Sequence, residues 1–220
     1  MTSGEPTGFL YPFIEAEESD VAGLLADLTI SAQGKIETSR ALRATVTRDC
    51  GALVAEAGRA MAERFARGGR LLAFGNGGSA TDADGTVDLF RRPPNGSPLP
   101  ALSLVEDRAV LTALANDIGF DAVFSRQLIA HARTGDIAVG FSTSGDSRNV
   151  LQALTEASRR GLLTVGLAGY EGGAMAASDA VAYCLVVPSD SVHRIQEAQD
   201  ALMFALWAAV QHELADRVPS

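Results

Sequence analysis

A chain of 220 residues that is 47% hydrophobic carries enough apolar side chain for one sizeable core and does not demand several. Its formal net charge of −9 repels phosphate backbones and anionic lipid, which excludes non-specific nucleic-acid or membrane-surface binding and leaves any small anion to be captured by local contacts. Cys50 and Cys184 have no C-x-x-C spacing and no neighbouring His, which excludes a disulfide framework and a zinc knuckle and suggests two buried thiols in a reducing compartment.

In chain order, Met1 to Pro12 is composed largely of Gly, Pro, Thr and Ser and reads as the start of a flexible tail running to residue 19. The acidic run Glu15 to Asp20 marks no more than a helix start. The N-terminus has no basic segment, and the longest uncharged apolar run, Ala201 to Val210, is too short to span a bilayer, so a cytoplasmic protein is expected. From Asp20 to Ala66 the spacing of Leu24, Leu25, Leu28, Leu53, Val54, Ala57 and Met61 predicts two long helices, ended by Gly68-Gly69. The period then changes. Short apolar runs at Arg70–Gly75, Leu99–Leu104, Asp136–Ser142, Leu162–Leu167 and Ala180–Val187 are separated by helix-length segments. Runs without polar alternation belong to strands buried on both faces, so the pattern predicts an α/β protein: a three-layer α-β-α sandwich on a five-stranded parallel sheet, preceded by N-terminal helices. Ser191 to Leu214 is the last helix, with Ile195, Leu202, Leu206 and Val210 on its apolar stripe and Phe204 and Trp207 read as core or subunit contacts. The expected organisation is a single domain over 20–215, with 20–67 as its helical oligomerisation segment.

Two loops carry the chemistry. Gly75-Asn76-Gly77-Gly78-Ser79 follows the first strand and Ser142-Thr143-Ser144-Gly145-Asp146-Ser147 the third, and each leads into a helix. Glycines let the backbone approach an anion, hydroxyls donate further hydrogen bonds, and a helix N-terminus adds partial positive charge, so the pair predicts a phosphate cradle at the carboxyl ends of the strands. The bland alternative is two capped strand-to-helix turns. The pattern Gly75-x-Gly77-x-x-Ala80, with Glu106 or Asp107 ending the next strand, also satisfies a loose dinucleotide fingerprint, but that reading leaves the second loop unexplained. No Lys follows either loop, so there is no Walker A motif.

These motifs, with Leu99-Pro-Ala, Leu111-Thr-Ala-Leu-Ala-Asn-Asp, Phe124-Ser-Arg-Gln, Asn149-Val-Leu, Gly172-Gly, Val187-Pro-Ser and Arg194-Ile-Gln-Glu, resemble the sugar isomerase domain (SIS) family and, within it, the phosphoheptose isomerases, over about Gly68 to Leu214. The resemblance implies a flavodoxin-like SIS fold and a homotetramer with N-terminal helices at its centre and sugar-phosphate sites at subunit interfaces. It also implies that Ser142, Thr143, Ser144 and Ser147 hold phosphate, while Asn76, Gly77, Gly78, Ser79, Asp117 and Gln196 line the substrate site. Zinc is expected of the family, yet this chain departs from it. Where relatives carry a His and a Glu four residues apart on the helix after the first loop, Gly85 and Leu89 stand, and where the last helix supplies a His, Phe204 stands. No metal ligand set is therefore assigned.

Moving a proton between C1 and C2 of a sugar phosphate needs a base. Asp88, spaced i, i+4 from Asp84, and His193 and Glu197 beside Gln196 are the candidates for proton transfer. Asp82 is read as a carboxylate stabilising its helix N-terminus. His131 and His212 have no partner spacing, and Arg91-Arg92 and Arg159-Arg160 read as solvated helix ends. Two functional readings stand: a ketose/aldose phosphate isomerase acting on sedoheptulose 7-phosphate, and a catalytically silent phosphosugar-binding regulator or scaffold with a protein partner. Neither involves a membrane or direct nucleic-acid contact.

Overall fold

A computed structural model describes residues 21–217, and the expected tail at 1–19 lies outside the described residues. The chain divides into two compact units, residues 1–40 and 41–220, so the predicted helical segment 20–67 is shared between them. Helix α1 (Val21–Asp49) opens the described chain, and in the first unit its Leu24, Leu25, Leu28, Ile30 and Ile36 are exposed.

The second unit holds everything else. Helix α2 (Gly51–Ala66) buries Val54, Ala57, Met61 and Phe65 at helical spacing and stops where predicted, with Gly69 N–H closing onto Arg64 O at 2.9 Å. There follow β1 (Leu71–Gly75), α3 (Gly78–Arg91), β2 (Ala101–Ser103), α4 (Arg108–Asp117), a 3-10 turn at Phe120–Ala122, α5 (Val123–His131), β3 (Ile137–Ser142), α6 (Arg148–Arg159), β4 (Leu163–Gly169), α7 (Gly173–Ala176), β5 (Tyr183–Val187) and α8 (Val192–Ala215). The five strands are parallel in the order β2-β1-β3-β4-β5. Every residue of β1, β3 and β4 is buried, as unbroken apolar runs demand. Strand β2 is shorter than its apolar run: Pro100, just before it, has no N–H to give the ladder, although its carbonyl accepts Leu71 N–H at 3.0 Å and Leu104 N–H reaches Ala73 O at 2.9 Å beyond the other end.

Alternate side chains feed two cores. Leu71, Ala73, Val139, Phe141, Val165 and Leu167 pack against α2, α3 and α8, whereas Leu72, Phe74, Ala138 and Ala168 pack against α5, α6 and α7. Each fully buried Leu or Phe contributes about 1.5–3 kcal/mol. Asp136 is buried at the start of β3, where it accepts Arg70 N–H and Arg133 N–H, both at 2.9 Å, and fastens the amino ends of β1 and β3. Both cysteines are half-buried, and burial pushes the Cys184 thiol up to about 11 and Cys50 upward as well, so neither is a thiolate at neutral pH. Among the described residues, no helix is long and apolar enough to cross a membrane.

Candidate functional site

The sheet order reverses direction between β1 and β3, which are neighbours in register Gly75↔Phe141. At such a switch point the connections leave to opposite faces and a crevice opens outside the carboxyl ends of the strands. Both predicted loops enter it, and the helices that follow, α3 and α6, start there with their N-termini.

A reciprocal amide pair joins the first loop to the start of α6. Asn76 Nδ2 donates to Asn149 Oδ1 at 2.8 Å and Asn149 Nδ2 donates to Asn76 Oδ1 at 2.9 Å, with Asn149 itself 3% exposed. Asn76, expected to face the sugar, thus has both amide atoms engaged in fastening its loop to the first turn of α6. Asn149 was legible only as part of a motif, since nothing in its neighbours announces a partner 73 positions away.

The loop after β3 is wound around its hydroxyls. Ser142 Oγ accepts Gly145 N–H at 3.1 Å and Ser147 N–H at 3.4 Å and donates to Ser147 Oγ at 2.9 Å, while Ser144 Oγ accepts Asp146 N–H at 3.1 Å. Backbone donors and three hydroxyls therefore share one small volume at a helix N-terminus, the arrangement that suits the oxygens of a phosphate. Gly145 has φ +73°, and a side chain there would run into the carbonyl of Gly172, so this winding needs glycine. Asp146 accepts Ala174 N–H at 2.7 Å and ties the loop to α7, and half-buried Thr143 accepts Gly169 N–H through its carbonyl at 2.9 Å.

The first loop supplies the other wall. Gly77 and Gly78 are exposed and Ser79 is buried at the start of α3. A side chain at Gly78 would overlap the Gln196 amide, so the bare backbone lets Gln196 of α8 reach the loop. Gln196 Nε2 also donates to Asp82 Oδ2 at 3.3 Å. Asp82 is 9% exposed, and burial pushes its carboxyl up to about 6; the Gln196 hydrogen bond opposes that shift and the Asp200 charge adds to it. The Asp200 carboxyl is itself raised, by burial and then by Glu197.

The other sequence candidates are scattered. Asp88 is exposed, pairs with Arg92 at 2.7 Å, and lines a groove with Asp84, Arg91, Ser103 and Glu106, to which neither loop contributes. His193 and Glu197 are exposed on the first two turns of α8. Asp117 is the exposed last residue of α4 and accepts from Asn116 at 2.8 Å. Asp82, read from sequence as serving its helix dipole, is instead the carboxyl held against Gln196; its spacing of three from Ser79, on the buried face of α3, was the available signal.

A zinc ion does not fit the residues present. Position 85 has no side chain, Leu89 is a half-buried aliphatic, and Phe204 is an exposed ring 5.1 Å between centroids from Trp207. Among the described residues, no three His, Cys, Asp or Glu side chains come together as a metal site.

The comparisons agree with this geometry. The SIS domain family model matches residues 36–169. A phosphoheptose isomerase of Solidesulfovibrio magneticus is 45% identical over 83% of this chain and 89% of its own length, and one of Pelobacter propionicus is 40% identical over 87% and 99%. In structure, the phosphoheptose isomerase of Neisseria gonorrhoeae superposes with a TM-score of 0.78 at 34% identity, covering 84% of this chain and 99% of that one. The phosphoheptose isomerase of Francisella tularensis gives 0.78 at 29%, covering 84% and 98%. With the switch-point crevice, the hydroxyl loop and this likeness along nearly the whole length of its relatives, the chain belongs to the SIS domain family and is of the phosphoheptose isomerase type.

Proposed function

We propose that this chain binds a sugar phosphate in the crevice between its two loops and interconverts the ketose and aldose forms, with sedoheptulose 7-phosphate and D-glycero-D-manno-heptose 7-phosphate as the pair. The observation that carries the reading is the locking of the glycine loop, through Asn76, to Asn149 in the first turn of α6, directly after the hydroxyl loop at the switch point. Ser142, Thr143, Ser144 and Ser147 take the phosphate, with the N-terminus of α6 contributing partial positive charge. The backbone of Gly77 and Gly78, with Ser79 and Gln196, surrounds the sugar. The names of the relatives support the choice of a heptose phosphate.

The functional unit is a homotetramer in the cytoplasm. The exposed leucines and isoleucines of α1, and an α4 that buries none of its residues within the chain, support an assembly that covers them. A second reading, a silent phosphosugar-binding regulator or scaffold with a protein partner, draws on Gly85, Leu89 and Phe204 alone. Phosphorus NMR of sedoheptulose 7-phosphate with the protein separates the two. A new phosphate resonance that grows with time is expected, whereas broadening or shift without one would support the silent binder. An unchanged spectrum would remove the sugar phosphate from the account.

A further inference from the structure

On the face of α3 that meets α8, Gly85 and Leu89 stand where the family resemblance leads one to expect a His and a Glu, and Asp82 lies on the same stripe. Positions 82, 85 and 89 stand at i, i+3 and i+7, one stripe of a helix, and only Asp82 on it bears an ionisable group. One turn away, a Cβ at Gly85 would meet nothing within 4 Å, so open space adjoins the carboxyl. Asp82 is mostly desolvated yet retains 9% exposure. Its partner Gln196 lies against Gly78 of the first loop, which connects the carboxyl to the crevice through a single side chain. An amide nitrogen has two protons, so Gln196 can hold Asp82 with one and a ligand oxygen with the other. The ionisable groups facing Asp82 from α8 are Asp200 and, beyond it, Glu197, both acids.

We propose that Asp82 is the proton carrier of the isomerisation, acting on a substrate whose C1–C2 end lies over Gly85, with no metal ion in the step. This rests on the isomerase reading above and goes beyond it by naming the base. The carboxylate takes a proton from C1 of the ketose. The C1–H electron pair becomes the C1=C2 bond, and the carbonyl π pair moves onto O2, where the second Gln196 N–H receives the developing charge. The carboxylic acid then returns its proton to C2. The O1–H pair becomes the aldehyde C=O and the O1 proton passes to O2, so atoms and electrons balance without oxidant or reductant. Burial raises this carboxyl to about 6, which makes it a stronger base than an ordinary carboxylate while leaving it ionised at neutral pH.

The test follows deuterium from heavy water into C1 of sedoheptulose 7-phosphate by mass spectrometry, with a chelator present, for the full-length protein and its D82N and D82E variants. Phosphorus line broadening reports binding in parallel. Wild type is expected to exchange with chelator present, at a rate that falls below about pH 6. D82N loses exchange by about 100-fold or more but keeps phosphate binding within about twofold, and D82E recovers part of the rate. Exchange in D82N equal to wild type overturns this proposal and leaves the isomerase reading standing, and so does wild-type exchange that the chelator abolishes. A wild type that binds but neither exchanges nor isomerises overturns both. Should D82N fail to fold, the wild-type pH profile decides, because a rate flat from pH 5 to 8 contradicts a base of this kind.

Discussion

The loop after β3, which leads into Asn149, and the seam between α3 and α8 both adjoin the glycine loop after β1, yet they are built differently. The loop holds its shape with backbone N–H groups, three serine hydroxyls and one glycine at positive φ, all within six consecutive residues. The seam is assembled from residues far apart in sequence, Gly78, Asp82 and Gly85 on one side and Gln196 and Asp200 on the other. A local cradle tolerates change elsewhere, because its donors come from its own backbone. A long-range seam is free to lose individual side chains and keep its fold, because packing by Ala83, Val87, Ile195 and Leu202 holds the helices together. In this chain the loop after β3 brings three serine hydroxyls together, while the positions where the family resemblance leads one to expect His, Glu and His hold Gly85, Leu89 and Phe204.

That division is most sharply broken by Gly145→Val. The side chain meets the Gly172 carbonyl and the residue is forced to positive φ, so sugar-phosphate affinity falls by about 100-fold or more while the core, and the thermal transition, change far less. Isothermal titration set beside calorimetric melting checks both. A smaller change at the same loop is Ser147→Ala, which removes a hydroxyl proposed to donate to a charged oxygen. It weakens binding by about 10-fold with little dependence on pH between 6 and 8.

On the seam, Asp82→Asn acts on stability with a defined sign. The folded-state pKa of about 6 lies above that of an unfolded Asp, so the folded chain binds the extra proton. This group therefore contributes its stability at low pH and loses it as pH rises through about 6. Asparagine has no charge to bury, so the variant is more stable than wild type by about 1–2 kcal/mol at pH 8, and the gain shrinks towards pH 4. Melting curves across that range measure it, and a gain that grows on acidification contradicts the assignment. The smallest effect belongs to Asp88→Ala. An exposed i, i+4 pair with Arg92 is worth about 0.3–0.5 kcal/mol, and turnover stays within about twofold because the residue lies in a groove the loops do not enter.

The fold was legible because its signals are local and redundant. Five apolar runs, turn glycines and helix periods repeat the same message, and the structure shifts only boundaries: β2 keeps Ala101–Ser103 of its run, β4 extends to Gly169 and β5 begins at Tyr183. The clustering of hydroxyls after β3 was legible for the same reason, as they stand within one hexapeptide. The seam was not. Nothing in the neighbours of Asp82 shows that Gln196 closes over it from 114 positions away, or that Asp200 raises it further, so a carboxylate near the start of α3 reads as dipole compensation. Asn76 was assigned to the sugar through the family resemblance, and nothing in its neighbours shows that Asn149, 73 positions away, engages its amide. Asp88 drew attention through its spacing from Asp84, whereas the Arg92 pairing shows which way that face of α3 turns.

The account stands most directly on phosphate capture by the crevice. Isothermal titration of sedoheptulose 7-phosphate, with unphosphorylated sedoheptulose as the control, into wild type and Ser147→Ala measures it. Binding of the phosphorylated sugar alone, weakened about 10-fold in the variant, is the predicted result; equal heats for both sugars, or an affinity indifferent to Ser147, would contradict it.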